Sequence, residues 1–171
     1  MKSTCTVATV LSLLITFTSK SNARLVSPSS ARLSLAAAER HKKATTQVSV
    51  QTIAKGSRSG IREAAQIAVR SQSEWQKLWR QHSSTSTASV PLPVVDFDKE
   101  IVAAVFLGER PTGGYSVEIS AAEVTGSLLT VFVKETSPNP GAIVTQGITQ
   151  PFHIVRIEAA TVETISFRRA P

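Results

Sequence analysis

Seven successive apolar residues, Ile101-Val102-Ala103-Ala104-Val105-Phe106-Leu107, limit the fold more than any other part of the chain. In an extended strand, neighbouring side chains point to opposite faces, so this run puts apolar groups on both sides. Such a strand belongs in the interior of a sheet, with a covering layer above and below. It is too short to cross a bilayer, which needs about 18–20 apolar residues. No run that long occurs beyond the N-terminus, which excludes a polytopic membrane protein.

The rest of the chain can supply those layers. Hydrophobic residues make up 42% of 171, and mean hydropathy is +0.04, which suits a packed domain and not a disordered one. Cys5 is the one cysteine, so a disulfide framework and a thiolate zinc site are excluded.

The first 23 residues read as an export signal. Lys2 gives a short positive region and Val7 to Phe17 an apolar one. Ser21-Asn22-Ala23 places small residues where a signal peptidase needs them, so cleavage is expected after Ala23 and the product in the periplasm or outside the cell. Cys5 precedes the apolar stretch and is misplaced for lipidation. A membrane is a partner only if the segment is retained. Removing Lys2 and Lys20 changes 19 basic against 12 acidic residues, net +7, into 17 against 12, net +5. The remaining basic charge is spread and the nine aromatics are scattered, unlike a nucleic-acid surface. Residues 24–46, rich in Ser, Ala, Arg and Lys, read as a linker or mobile tail, and 47–169 as the folded domain.

Within that domain, Val48, Val50 and Thr52 alternate with polar residues as a strand. Residues 61–70 fit helix or strand, and the helix start directly after them favours a strand near 65–70. Ser71 and Glu74 have capping-box spacing, and Trp75, Leu78 and Trp79 follow on one face, predicting an amphipathic helix to about His82. Tyr115 to Ser120 and Leu128 to Glu135 form a hairpin around Thr125-Gly126. Phe152 to Ile157 and Val162 to Phe167 are the last strands. The predicted fold is α+β and β-rich: an antiparallel sheet or sandwich of about seven strands with one helix packed on it.

Catalytic chemistry is thin. His41, His82 and His153 lie at no metal-ligand spacing, and capping or surface roles are expected of them; no metal or cofactor is predicted. There is no G-x-S-x-G elbow. His82 with Asp96 or Asp98 can be drawn as a dyad, but nothing in the sequence brings them together. Asp96, Asp98 and Glu100 are spaced like ligands on one strand face, without a calcium-loop glycine.

Gly108-Glu109-Arg110-Pro111-Thr112-Gly113-Gly114-Tyr115 is the most informative loop. A strand follows it, which removes the helix N-terminus a phosphate cradle needs. It reads as an ordinary hairpin loop or as a recognition loop. In the second case Arg110 and Thr112 offer donors, Gly113 and Gly114 shape the backbone, and Pro111 and Tyr115 form the rim. The Pro- and Gly-rich loop 137–151 is its expected companion, with Gln146 and Gln150 as polar contacts.

SGIREAAQIAVRSQSEWQKLWRQH, VDFDKEIVAAVFLGERPTGGYSVEI and PNPGAIVTQGITQPFHIVRI together resemble the PrcB C-terminal domain family, exported bacterial proteins named for a subunit of a surface protease complex. The resemblance spans about residues 50–158. It implies a non-catalytic domain that associates with a protease or helps it mature. Pro111-Thr112-Gly113-Gly114-Tyr115 also looks like the P-T-T-G-Y loop of chagasin-type cysteine-protease inhibitors, with Gly113 replacing the second Thr. That likeness implies a protease inhibitor using loop 110–115. A structural envelope protein without a dedicated partner is the remaining alternative.

Overall fold

A computed structural model describes residues 44–87, 90–159 and 161–171. Residues 1–23, where an export signal is expected, and residues 24–43 lie outside them. Among the described residues, ten strands and one α-helix follow in chain order. They are β1 (Thr45–Gln47), β2 (Val50–Gly56), β3 (Ala64–Val69), α1 (Gln72–His82), β4 (Glu100–Leu107), β5 (Arg110–Thr112), β6 (Ser116–Thr125), β7 (Leu128–Thr136), β8 (Gln146–Thr149), β9 (Phe152–Glu158) and β10 (Thr164–Arg169). A 3-10 turn, Ser83–Thr85, extends α1. Thr45 and Thr46, read from sequence as linker, belong to β1.

One sheet runs β1-β6-β7-β10 and the other β2-β9-β4-β3. The second is antiparallel throughout. The first is mostly antiparallel and contains one parallel pair, β10 beside β7. β5 and β8 form a separate two-stranded ribbon.

β4 explains the layering. Its odd residues Ile101, Ala103, Val105 and Leu107 join Val155 and Ile157 of β9 against Val117 and Ile119 of β6 and Leu129, Val131 and Val133 of β7. That is the core between the sheets. Its even residues Val102, Ala104 and Phe106 join Ile154, Val69, Trp75, Leu78 and Trp79 in a second core under α1. The described residues form a two-sheet sandwich with the helix as a third layer, and β4 is dry on both faces.

α1 forms where the capping signal places it. Ser71 Oγ accepts the Glu74 N–H at 3.4 Å. The Glu74 carboxylate accepts the Arg70 N–H, one residue before the position a reciprocal box uses. Trp75 and Trp79 are buried, and their indole N–H groups donate to the Pro93 and Val90 carbonyls. The stretch after the helix is thereby fastened over it.

The other end of α1 is closed by the turn before β3. The Gly60 N–H donates to the His82 carbonyl at 2.8 Å. A Cβ on Gly60 would run into the Gln81 carbonyl oxygen and the Ser84 hydroxyl. Gly60→Ala is therefore expected to push the turn off the helix, at a cost of about 1–3 kcal/mol. A thermal melt checks this: a Tm several degrees lower is expected, and an unchanged Tm would contradict the close approach.

Candidate functional site

The ribbon is where the two informative loops meet. Arg110 lies opposite Thr149 and Thr112 opposite Gln146, with an extra residue on β8 between the two pairs. The Gly113 N–H donates to the Thr145 carbonyl at 2.9 Å, and Thr149 Oγ1 donates to the Thr112 carbonyl at 2.9 Å. Segment 108–115 is thus not an ordinary hairpin loop. It carries the chain from β4 in one sheet to β6 in the other, paired on the way with residues from beyond β7.

All eight residues singled out from the sequence lie on or beside this ribbon. The Arg110 guanidinium stacks over the Tyr115 ring, 5.7 Å from its centroid. Tyr115 itself packs against the core between the sheets. Thr112 Oγ1 donates to the Gly113 carbonyl. Arg110 and Thr112 therefore hold the loop as well as lining it, and Pro111 is exposed. Gln146 bends back to the Val144 carbonyl, at 3.4 Å. Gln150 joins the root of the ribbon: its N–H donates to the Ser57 carbonyl and its amide to Glu109, which also faces Arg62.

Two residues that sequence reasoning passed over dominate the outer surface. Ile143 is 104% exposed and Ile148 is 66% exposed. From Thr136 to Phe152 no residue carries a charge. A long uncharged stretch bearing isoleucines was the available signal, but apolar residues between glycines and prolines do not announce exposure. Exposed β-branched side chains on an uncharged segment fit an apolar protein surface better than a small polar ligand.

His82 and His153 correct the surface and capping expectation, and His41 lies outside the described residues. His82 is buried between α1 and the sheet, its ring centroid 4.3 Å from that of Phe152. Its Nδ1 is 2.9 Å from Ser59 Oγ. His153 is 2% exposed between the sheets. Burial pushes both pKa values below the ordinary histidine range, and at His153 the Lys55 charge adds to this while Glu118 opposes it.

Ser59 and His82 form a hydroxyl–imidazole pair, but Ser59 is fully buried and also accepts the Ile61 N–H. No carboxylate among the described residues is bonded to His82. Asp96, the drawn dyad partner, instead faces Lys99 at 3.2 Å and accepts the Asp98 N–H. Those contacts hold its carboxyl below its ordinary pKa. Asp96 and Asp98 lie in a turn before β4, not on a strand face, and no cluster of potential metal ligands occurs among the described residues.

Gly114 decides the ribbon's shape. Its φ is +84°, and a Cβ there would lie 2.9 Å from Pro138 Cβ and 3.0 Å from Val144 Cγ1. Gly114→Val is expected to cost about 1–3 kcal/mol through the left-handed backbone alone. Limited proteolysis checks it: cleavage within 137–150 should appear in the variant and not in wild type. Equal resistance would contradict the packing described.

No curated protein and no solved structure matches the chain. A sequence-family model described as PrcB C-terminal matches residues 101–158. The match runs from β4 to the end of β9 and contains the ribbon and the central strands of both sheets. This segment, with the doubly buried strand and the crossing loop at its heart, is what the chain shares with the PrcB C-terminal family.

Proposed function

We propose that this chain is a non-catalytic, exported protein-binding module, released by cleavage after Ala23, whose β5–β8 ribbon docks on a protease or its precursor. One observation carries the reading: Ile143, in the loop that enters β8, and Ile148, on β8, stand in solvent beside a ribbon backbone that is braced from within. Burying large apolar side chains yields about 1.5–3 kcal/mol each, and a preformed ribbon loses little freedom on docking. The family match supplies the protease side of the proposal, since the name refers to a protease-complex subunit.

The partner surface is apolar and without a strong field, because segment 136–152, which carries β8 and both isoleucines, offers it no charge. Arg110 and Tyr115 form the polar and aromatic border. The Thr112-Gly113-Gly114 turn sets the angle at which the ribbon meets its target.

The test is capture from the envelope and extracellular fractions of the source cells with the tagged mature chain, residues 24–171. An Ile143→Asp/Ile148→Asp variant runs beside wild type, with circular dichroism to confirm its fold. Wild type is expected to retain a protease, and the variant to lose it by about tenfold or more, as two buried carboxylates would impose. Equal capture by both would contradict the ribbon as the contact. Turnover of the captured protease separates the roles: a partner preserves or raises it, whereas an inhibitor lowers it.

A further inference from the structure

Both strands of the ribbon run directly into the sandwich. β5 continues through Gly113-Gly114-Tyr115 into β6, and β8 continues through Gln150-Pro151 into β9. Near these two roots lies His153, the second residue of β9. Its Nδ1 is 2.8 Å from the Ile119 N–H of β6, and its Nε2 is 2.9 Å from Thr52 Oγ1 of β2. A backbone N–H only donates, so Nδ1 is the acceptor and carries no proton. The proton is on Nε2 and is given to Thr52. One neutral ring thus joins three strands drawn from both sheets.

The Ile119 N–H needs this acceptor. Ile119 sits where the β6–β7 register slips, with Ser120 as the extra residue. β1 covers β6 only as far as Ala122 and Glu123. We infer that His153 is a proton-operated pin at the base of the ribbon: neutral, it fastens β9 to β6, and protonated at Nδ1 it faces the Ile119 N–H donor to donor and lets the two roots part. The ribbon then loses the fixed presentation on which its proposed docking depends; this regulatory consequence rests on that docking, whereas the pin itself does not.

The groups around the ring are few. β2 contributes Thr52 and Lys55, and β6 contributes Glu118, which pairs with Lys55 at 3.1 Å and also feels Lys134 of β7. β4 places the uncharged Val105 opposite His153. Burial and Lys55 disfavour the imidazolium and Glu118 favours it, with a net lowering. The folded pKa lies below the unfolded value of about 6.5. The pin's contribution is therefore complete above about pH 6.5 and is lost as pH falls through the folded pKa. The ribbon feels this first, because β5 and β8 have 3 and 4 residues and pair only with each other.

Side-chain and amide NMR on the 15N-labelled protein tests the pin without any partner. At pH 7.5 the His153 ring nitrogens should show the Nε2–H tautomer. As pH falls from 7.5 through the His153 midpoint, protection of the Ile119 and Gly113 amides, corrected for intrinsic exchange, should fall together with His153 protonation, by up to about tenfold per pH unit on the approach to the midpoint, and level off below it. His82→Gln should keep that step, and His153→Gln should remove it. The pin is overturned if His153 protonates while both amides stay protected, if the other tautomer is found, or if the step disappears with His82→Gln. Should His153→Gln fail to fold, the wild-type titration with the His82→Gln control still decides. If the pin is overturned, the exposed isoleucines and the capture result still stand, so the two readings fail separately.

Discussion

The structure depends on β4 being dry on both faces. A strand with one wet face needs one covering layer, and the remaining elements could then lie anywhere. Here the odd residues of β4 require the β6–β7 sheet and the even residues require α1. Removing a large side chain from such a core costs about 2–5 kcal/mol, comparable with the whole stability of many domains. The chain must also leave β4 in one sheet and start β6 in the other. That crossing is made by residues 108–115, so the segment that forms the ribbon is the segment the sandwich needs in order to close.

The same constraint explains why the candidate site is rigid. A free loop of this composition would sample many conformations. This one is paired with β8, closed by Gly113 on Thr145, packed through Gly114 on Pro138 and Val144, and anchored by Tyr115 in the core. The apolar side chains that remain outside are then held in place, not collapsed onto the domain. Exposed isoleucine is costly to keep in water, and a partner that covers it removes that cost. The sandwich supplies stability, and the ribbon supplies a surface that the sandwich does not need.

Much of the architecture was legible in the sequence. The run Ile101–Leu107 announced the buried strand, Ser71 with Trp75, Leu78 and Trp79 announced the helix, alternation announced β6, and the Thr125-Gly126 turn announced its return as β7. The short strands β5 and β8 were not legible, because three or four residues carry too little periodicity and pair only through tertiary contact. The parallel pairing of β10 with β7 was hidden for a similar reason: strand patterns do not encode direction. The histidines were misread because a lone imidazole on a strand or at a helix end carries no sign of burial. His153 is buried because Thr52 and Ile119, far apart in sequence, converge on it. The eight candidate residues were brought together, but the outward-facing isoleucines of the same ribbon carried no mark of exposure.

Site-specific photocrosslinking in the source cells tests the central claim most directly. A photoreactive amino acid placed at position 148 reports what touches the ribbon, and one at position 158 reports the opposite end of β9. The account predicts a discrete crosslinked product from position 148 that contains a protease, with none from position 158. Crosslinks of equal yield from both positions, or a protease reached only from position 158, would contradict it.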